Sequence, residues 1–339
     1  MVTRKDVAKM AGVSVTAVSR VMNKSNYVAM DKKVAILKAV DQLGYRPNPV
    51  AVAMQNRSTK QILFYSKDLG NAFNIDMYRG MISYASQFDY MVILSGTWDI
   101  EKIKKIPVDG VILPNELISE EYLYSVKNTM QLPTVSASYG SSRLNKKHIP
   151  QVEADTYVAM EMLIDFLFSK GHKKIALATP YPIADDNPRG TAYRCKMLPV
   201  LEGRLDDYVF TALDNPNKFR PFEEDFVTYG ELLTNQMIEK DTDATAVACF
   251  NDDIAISMIR HLHRVGKHVP DDISVAGIDD IKIGSFIEPP LTTVALSPYE
   301  QGRECVRVLL DMVAGKKIKR RTKIPLHLVE RKSVSVNRR

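Results

Sequence analysis

The sequence predicts an α/β protein in which a small helical module precedes a larger body built from doubly wound parallel sheets. Residues 1–60 contain 11 Lys and Arg against 3 Asp and Glu, whereas the rest of the chain contains 35 and 37. A basic module of net charge +8 therefore precedes a nearly neutral body, which suggests that a polyanion is bound at one end. The body of about 280 residues alternates strand-like runs with amphipathic stretches and is large enough for two lobes.

The first 23 residues predict two short helices joined by a tight turn. Thr3 and Asp6 have the spacing of a capping box, so that a helix can begin at Arg4. Gly12 supplies a sharp turn, and Ser14 is well suited to cap a second helix. This pattern is that of a helix-turn-helix.

The second helix leaves small or hydrogen-bonding side chains on its free face, namely Val15, Thr16, Ser19, Arg20 and Asn23. Such side chains at the start of a short helix suit the major groove of DNA, where an arginine can contact guanine bidentately. The alternative is an ordinary helical hairpin with a solvated basic face. The net charge, the tight turn and the lack of any Glu before position 101 favour DNA binding.

A third helix is predicted over residues 32–43, and Gly44 ends it. Its apolar stripe is Val34, Leu37, Ala39, Val40 and Leu43. Further on, Asn48 is a good N-cap and Pro49 a good first helical residue, so a helix of about eight residues can start there. Because such a short helix is marginal alone, we expect it to form only when something docks it. The alternative is a plain interdomain linker.

Nine apolar runs in the body predict strands, over residues 61–65, 91–94, 110–113, 134–137, 174–178, 208–213, 246–250, 273–276 and 292–296. Amphipathic helices are predicted between several of them, over residues 78–88, 156–170 and 254–265. This alternation is typical of parallel, doubly wound sheets, in which ligands bind at the carboxyl ends of the strands.

The cysteines and the hydropathy pattern indicate a cytoplasmic protein. Cys195, Cys249 and Cys305 have no metal-binding or redox spacing and sit in apolar contexts, as expected of free thiols in a reducing compartment. No apolar segment follows the N-terminal charges, and no stretch is long enough to cross a bilayer, so we expect no membrane partner. These features argue against an exported solute-binding protein, which could share the two-lobed body.

Little in the sequence points to catalysis, a cofactor or a metal. His261 and His263 lie two residues apart on a predicted helix, where their side chains diverge, so a solvated helix face explains them better. Gly315 and the two lysines after it lack the flanking residues of a phosphate-binding loop. A sugar-modifying enzyme is therefore only a distant alternative.

Four N-terminal segments carry a recognisable signature: Asp6-Val-Ala, Ala11-Gly-Val-Ser, Thr16 with Val18-Ser-Arg-Val-Met-Asn, and Leu43-Gly-Tyr-Arg-Pro-Asn. The chain resembles the lactose-repressor (LacI/GalR) family of bacterial transcription regulators, and the resemblance continues to the C-terminus. It implies a DNA-binding headpiece over residues 1–46, a hinge helix over 47–59 and a two-lobed, periplasmic-binding-protein-like body over 60–339. The resemblance also implies an N-lobe and a C-lobe between which the chain crosses several times, with boundaries at 60–156 and 296–319, and at 157–295 and 320–339.

In that family the second helix enters the major groove, and the hinge helix inserts an apolar wedge into the minor groove. By position the wedge is Met54, which departs from the usual leucine, and Pro49 is an unusual neighbour of Asn48. The DNA-contacting set that the resemblance implies is Thr3, Lys5, Ser14, Val15, Thr16, Ser19, Arg20, Asn23, Tyr45, Asn48, Ala51 and Met54.

Polar residues at the ends of predicted strands are candidates for a small-molecule site, because they can meet a ligand without disturbing the core. The candidates are Asp155, Arg189, Asn251 and Asp279. Each also has an interpretation as a helix cap, which suits Asp155 and Asn251 best. The resemblance identifies all four with effector-contacting positions, and carboxylates, an amide and an arginine suit the vicinal hydroxyls of a sugar.

The chain departs from the family pattern close to this site. An Asn-Pro-Phe-Phe motif is replaced by Asn71-Ala-Phe-Asn, so that Phe73 can stack on a ligand ring and Asn74 presents an amide. A common glutamine is replaced within Leu296-Ser-Pro. Further stacking candidates, each better explained as core packing, are Trp98, Phe222 and Phe226. These departures argue against transferring any relative's ligand directly.

The resemblance implies a sequence-specific repressor of carbohydrate-utilisation genes that a small sugar-type inducer releases from double-stranded operator DNA. A homodimer would bind a near-palindromic operator through two recognition helices, and effector binding would let the hinge helix melt. The alternative is a regulator whose DNA binding is promoted by a corepressor or a phosphorylated protein partner. We expect such a protein to act at the nucleoid.

Overall fold

The computed structural model describes residues 2–23, 27–56, 58–66, 70–97, 99–103, 105–125, 132–140, 149–183, 187–212 and 226–338. The chain divides into two compact units, residues 1–60 and residues 61–339.

The first unit is helical, with α1 (Arg4–Ala11), α2 (Val15–Met22), α3 (Met30–Leu43) and α4 (Pro49–Asn56). The Asp6 carboxylate accepts hydrogen bonds from the Thr3 backbone N–H at 2.8 Å and from the Thr3 hydroxyl at 2.7 Å. Gly12 has φ 64°, in the left-handed region that favours glycine. Ser14 Oγ then accepts from the Ala17 N–H at 3.2 Å. These contacts start α1, turn the chain and start α2, so the predicted helix-turn-helix is confirmed.

The core of the first unit lies where α1, α2 and α3 meet. Val7, Val18 and Ile36 are fully buried there, and Ala39 and Tyr45 are nearly so. Each large apolar side chain that is removed from water contributes roughly 1.5–3 kcal/mol. A unit this small therefore depends on a handful of side chains for its stability.

The predicted apolar stripe of α3 was wrong at two positions. Val34 is 58 % exposed and Leu37 is 49 % exposed, whereas Ile36, which the prediction left out, fills the core. The reason is helical geometry: Ile36 shares a face with Ala39, three residues on, while Val34 and Leu37 share another face with Met30. The helix also begins at Met30, two residues before its predicted start.

The second unit contains two sheets. Their strands are β1 (Gln61–Tyr65), β2 (Met91–Ser95), β3 (Gly110–Leu113), β4 (Thr134–Ser138), β5 (Gln151–Glu153), β6 (Ile175–Thr179), β7 (Val209–Thr211), β8 (Ala246–Cys249), β9 (Ser274–Asp279), β10 (Thr292–Ala295), β11 (Arg321–Lys323) and β12 (His327–Val329). The first sheet has the order β11-β5-β4-β3-β1-β2, and the second has the order β12-β10-β9-β8-β6-β7. Apart from the antiparallel pair β10–β12, neighbouring strands are parallel.

Helices cover the sheets: α5 (Ala72–Ala85), α6 (Ile100–Ile103), α7 (Glu116–Ser125), α8 (Thr156–Ser169), α9 (Pro188–Met197), α10 (Phe226–Glu239), α11 (Asp252–Arg264) and α12 (Pro298–Val313). The predicted doubly wound α/β body is confirmed. All nine predicted strands form, most within one or two residues of their expected ends. The predicted helix over residues 78–88 was wrong in its start, because Asn71 Oδ1 accepts from the N–H groups of Phe73 and Asn74 and caps α5 six residues earlier.

The described strands place crossings between the sheets after Glu153, after Ala295 and after Lys323. The prediction that residues 320–339 lie wholly in the second lobe was wrong. Residues 321–323 pair in parallel with residues 151–153 and extend the first sheet, and the chain joins the second sheet only at β12. A three-residue edge strand has too little apolar alternation to be assigned from sequence.

Helices α5 and α12 are in close contact across two glycines. A Cβ atom added to Gly80 would lie 1.9 Å from the Tyr299 carbonyl oxygen, and one added to Gly302 would lie 2.0 Å from that of Met77. Real Cβ contacts are essentially never this short. These two glycines therefore let the helix backbones touch.

Over the part of the chain that the structure describes, no helix is both long and apolar enough to span a membrane. The same residues contain no cluster of ligands suited to a metal ion. Cys249 and Cys305 are buried free thiols. The expectation of an apolar setting was wrong for Cys195, which is exposed on α9.

Candidate nucleic-acid interface and effector site

The free face of α2 carries four of the predicted DNA contacts in exposed positions: Val15, Thr16, Arg20 and Asn23. Ser19 is half-buried, and its hydroxyl accepts a hydrogen bond from Arg4 Nη1 at 3.4 Å. Thr3, Lys5 and Ser14, also predicted, are exposed at the beginnings of α1 and α2. The first turn of α2 is exposed and contains no acidic residue, and Arg20 lies in its last turn, which suits this helix to a phosphate-lined groove.

Of the other predicted DNA contacts, Tyr45 is buried, and the side chain of Met54 is outside the described atoms. Tyr45 is only 8 % exposed and packs in the core, because Gly44, with φ 58°, turns the chain back and the Tyr45 N–H bonds to the Val40 carbonyl. Met54 lies in α4, but its side chain is outside the described atoms. Asn48 and Ala51 are exposed at the start of this helix.

Sequence reasoning missed a contact between the hinge helix and the rest of its unit. Arg4 Nη1, which bonds Ser19 on α2, also donates to Gln55 Oε1 on α4 at 3.4 Å. One guanidinium thus touches both the predicted recognition helix and the predicted hinge helix. Nothing in the spacing of Arg4 and Gln55, which are 51 residues apart, predicted this contact.

Three of the four predicted effector residues meet at the carboxyl end of the second sheet. Arg189 lies at the start of α9, where Asn187 Oδ1 caps the helix by accepting from the Gly190 N–H. Its Nη1 donates to the Phe250 carbonyl oxygen at 2.7 Å, and its Nη2 donates to Asp279 Oδ1 at 3.2 Å. Asn251 directly follows Phe250. A nearly buried arginine therefore joins the ends of β8 and β9.

Asp279 ends β9 in an unusual backbone conformation, with φ 132°. Its carboxyl is nearly buried, and burial raises its pKa to about 8, although the Arg189 guanidinium acts in the opposite direction. A carboxyl that can be protonated near neutral pH can both donate and accept hydrogen bonds. Together with the guanidinium, it offers donors and acceptors side by side.

Asn251 and Asp155 serve as helix caps, which is the simpler of their two predicted interpretations. Asn251 Oδ1 accepts from the Ile254 N–H at 3.0 Å at the start of α11. Asp155 Oδ1 accepts from the Val158 N–H at 3.3 Å at the start of α8, and its Oδ2 accepts from Lys323 Nζ at 3.4 Å. Asp155 follows β5, the last strand of the first sheet before the chain crosses to the second, whereas the Arg189 group lies at strand ends of the second sheet.

Aromatic rings lie beside both groups of candidate residues. The Arg189 guanidinium lies over the Phe250 ring at 4.3 Å from its centroid, and Tyr181 meets Phe250 edge-on at 5.7 Å. Phe73, in the first turn of α5, is buried against Tyr139 at 5.9 Å. Sequence reasoning missed Phe250, although its position before Asn251 at a strand end could have indicated it.

Asn74 is half-buried beside Phe73 on α5. The other proposed stacking side chains, those of Trp98, Phe222 and Phe226, lie outside the described atoms.

A basic helix-turn-helix unit followed by a two-sheet body with polar strand ends defines a transcriptional regulator with a ligand-binding domain. Residues 3–48 match the family described as bacterial regulatory proteins, lacI family, and residues 164–334 match the periplasmic binding protein-like domain. The chain is 32 % identical over 331 residues to the HTH-type transcriptional repressor PurR of Vibrio campbellii, covering 95 % of each protein. The chain belongs to the lacI family of bacterial regulatory proteins, as its sequence predicted.

Two solved structures share the fold over nearly the whole chain. The lac repressor dimer bound to operator and the anti-inducer ONPF has a TM-score of 0.76 at 23 % identity, covering 98 % of this chain and 99 % of that one. The lac repressor bound to ONPG in the repressed state has a TM-score of 0.75 at 25 % identity, with the same coverage. The family match and the PurR relatives make the protein a transcriptional repressor of the lacI type and not an enzyme, with operator DNA and a small-molecule effector as its partners.

Proposed function

We propose that the protein is a homodimeric repressor of carbohydrate-utilisation genes, released from a near-palindromic operator by a small sugar-type inducer. The effector part of this proposal rests on one observation. The Arg189 guanidinium donates to the Phe250 carbonyl oxygen and to Asp279, and it lies over the Phe250 ring. A carboxyl beside a guanidinium can bond two neighbouring hydroxyl groups at once, and an aromatic ring next to them supplies an apolar face. Vicinal hydroxyls beside an apolar ring face are the chemistry of a sugar.

On the DNA side, Val15, Thr16 and Arg20 read bases in the major groove, while exposed Lys and Arg side chains contact phosphates. Met54 is the wedge for the minor groove, at the centre of an operator that two α4 helices approach together. Effector binding would change the lobe arrangement and separate the two hinge helices. A coupling of about 1–3 kcal/mol would change operator affinity 5- to 150-fold.

A second effector class, a planar heterocycle such as a purine base, is favoured by a specific observation. The rings of Tyr181 and Phe250 and those of Phe73 and Tyr139 form aromatic pairs near the two groups of candidate residues. In addition, relatives at 31–32 % identity carry the name PurR, whereas the lac repressor structure bound to ONPG is 25 % identical.

The experiment measures operator binding in the presence of small-molecule probes. The operator is first selected from genomic DNA by the purified protein, and its affinity is then followed by fluorescence anisotropy with D-ribose, cellobiose, guanine and adenine. A sugar that weakens operator binding supports the proposal. A base that strengthens operator binding indicates the alternative in which a corepressor promotes DNA binding. If no probe changes the affinity and a phosphorylated protein strengthens operator binding, the alternative with a protein partner is indicated.

The site itself is tested by Arg189→Met, which keeps the side-chain stem and removes the guanidinium. We expect the response to the active probe to be lost, with operator affinity unchanged in its absence. Arg194→Met is the matched control, because Arg194 is on the same helix but five residues away, on a different face. If Arg189→Met and Asp279→Asn both respond to the probe as Arg194→Met does, the assigned effector site is wrong.

A further inference from the structure

The turn that presents Asp279 to Arg189 is strained. Asp279 and Asp280 follow one another with φ values of 132° and 58°, in a region that side chains other than glycine rarely adopt. Such conformations persist only where surrounding contacts fix them, and they concentrate at functional sites. The contacts that fix this turn therefore also fix the direction of the Asp279 carboxyl.

One buried carboxylate holds the far end of the turn. Asp252, the first residue of α11, is fully buried, and its Oδ2 accepts from the Ile281 N–H at 2.9 Å. Its Oδ1 accepts from the Thr293 hydroxyl on β10 at 2.6 Å. Because a buried carboxylate is costly unless its oxygens are bonded, both contacts matter for keeping Asp252 in place.

The same carboxylate also contacts the near side of the turn. A Cβ atom on Gly277 would lie 2.2 Å from Asp252 Oδ1, so only glycine lets β9 pass at this distance. Gly277 precedes Asp279 by two residues, and Ile281 follows it by two. Asp252 therefore contacts the chain on both sides of Asp279 and Asp280: it lies against Gly277 and accepts a hydrogen bond from the Ile281 N–H.

A second side chain, that of Arg331, holds the turn from its outer side. Arg331, in the C-terminal segment, donates from Nη2 to Asp280 Oδ1 at 2.6 Å and from Nη1 to the Leu291 carbonyl at 2.8 Å. The Asp280 N–H lies 3.4 Å from the Thr293 hydroxyl oxygen. The turn is therefore fixed from the inside by Asp252 and from the outside by Arg331.

We infer that Asp252 is a positioning residue for effector recognition, which holds the strained turn so that Asp279 faces Arg189. This inference rests on the proposed effector role of Arg189 and Asp279. Asp252 itself is sealed from solvent and so acts through the turn, not by touching the effector.

The first test needs no effector. Hydrogen–deuterium exchange is measured on the full-length protein for a peptide that spans residues 277–284. In Asp252→Ala the Ile281 N–H has no carboxylate acceptor, and we expect exchange there to be at least about tenfold faster. Asp253→Asn is the control, because it changes the neighbouring carboxylate and leaves both Asp252 contacts in place. If Asp252→Ala and Asp253→Asn exchange alike at Ile281, the inference is wrong.

A conservative series separates positioning from general stability. Asp252→Asn keeps an oxygen for the Ile281 N–H, and its amide can donate to the Thr293 hydroxyl, so we expect it to exchange almost as wild type does. Should Asp252→Ala fail to fold, Thr293→Val removes one donor to the carboxylate, and Thr293→Ser restores it. Faster exchange in Thr293→Val than in Thr293→Ser supports the inference, and equal exchange in the two contradicts it.

The second test measures the affinity for whichever of D-ribose, cellobiose, guanine and adenine is active, by calorimetry. We expect Asp252→Ala to bind that probe about ten- to a hundredfold more weakly, with operator affinity unchanged in its absence. If Arg189→Met loses the response while Asp252→Ala binds the probe like wild type, the effector site stands and the positioning role fails. If Arg189→Met keeps the response, the effector site itself is wrong, and the exchange data alone decide whether Asp252 holds the turn.

Discussion

Two glycines, one in each unit of the chain, are required for opposite reasons. In the first unit Gly12 has φ 64° and open space around its α-carbon, so it is needed for a local turn. In the second unit Gly302 is needed because a Cβ atom there would collide with the backbone of Met77, more than 200 residues earlier. At these two positions the headpiece depends on a local backbone conformation, and the body depends on a contact between distant segments.

Replacing these two glycines should give the largest difference between the units. We expect Gly302→Ala to lower the free energy of unfolding of the body by about 3 kcal/mol or more, because backbone atoms cannot move aside as a side chain can. Gly12→Ala should cost about 1–2 kcal/mol, from the left-handed backbone alone. Urea unfolding followed by the fluorescence of Trp98, the single tryptophan, reports on the body. Equal stability of Gly302→Ala and wild type would contradict the close contact of α5 and α12.

The recognition helix offers the next largest effect. Arg20→Ala should weaken binding to the selected operator by about 1–3 kcal/mol and relax specificity at one base position. Lys38→Ala is the matched control, since it removes one exposed positive charge from α3. Competition with operators that carry single base changes separates the two variants. An unchanged base preference in Arg20→Ala would count against placing α2 in the major groove.

The features that could be predicted from the sequence are those that depend on near neighbours in the chain. Thr3, Asp6, Gly12 and Ser14 lie two to six residues from their neighbours in the motif, and their spacing was sufficient to predict the helix-turn-helix. Arg189 donates to Phe250, 61 residues away, and to Asp279, 90 residues away. Strand ends and the family resemblance indicated Arg189 and Asp279. No local pattern could indicate that a carboxylate at position 252 holds the turn at 279.

The edges of elements were the least predictable features of the body. The start of α5 was missed because its amphipathic pattern is clear only from Tyr78, although the cap at Asn71 fixes it. The return of residues 321–323 to the first sheet depends on pairing with residues 151–153, about 170 positions earlier. Burial of Ile36 instead of Val34 depends on which face of α3 meets α1 and α2. Each of these outcomes is decided by packing, which a single helix or strand does not encode.

Acid should destabilise the two units unequally, because all six histidines lie beyond residue 60. His172 is buried between Thr245 Oγ1 at 2.9 Å and the Ser335 carbonyl oxygen at 3.0 Å, and burial lowers its pKa. The unfolded chain therefore binds a proton that the folded body does not. Stability from this histidine is present at neutral pH and is lost as the pH falls below about 6.5, by up to about 1.4 kcal/mol per pH unit.

His172→Gln isolates this contribution. Trp98 fluorescence should show that the free energy of unfolding of the body falls less between pH 7 and pH 5 in the variant than in wild type. His268→Gln, at an exposed histidine, is the control and should follow wild type. A wild-type body whose stability is the same at both pH values would contradict the buried, neutral histidine.

The smallest effect concerns Arg4, whose guanidinium bonds a residue 51 positions away in the same unit. Arg4→Met removes the bonds to Ser19 and Gln55, both at 3.4 Å, and should weaken operator binding by about 0.5–1.5 kcal/mol. Lys9→Met, which removes one charge from the same helix, accounts for the lost attraction to phosphates. A double-mutant cycle with Gln55→Ala then isolates the bond between α1 and α4. Additive losses in the cycle would mean that the Arg4–Gln55 bond contributes nothing to operator binding, whereas a non-additive loss would mean that the contact of α1 with the hinge helix supports operator binding.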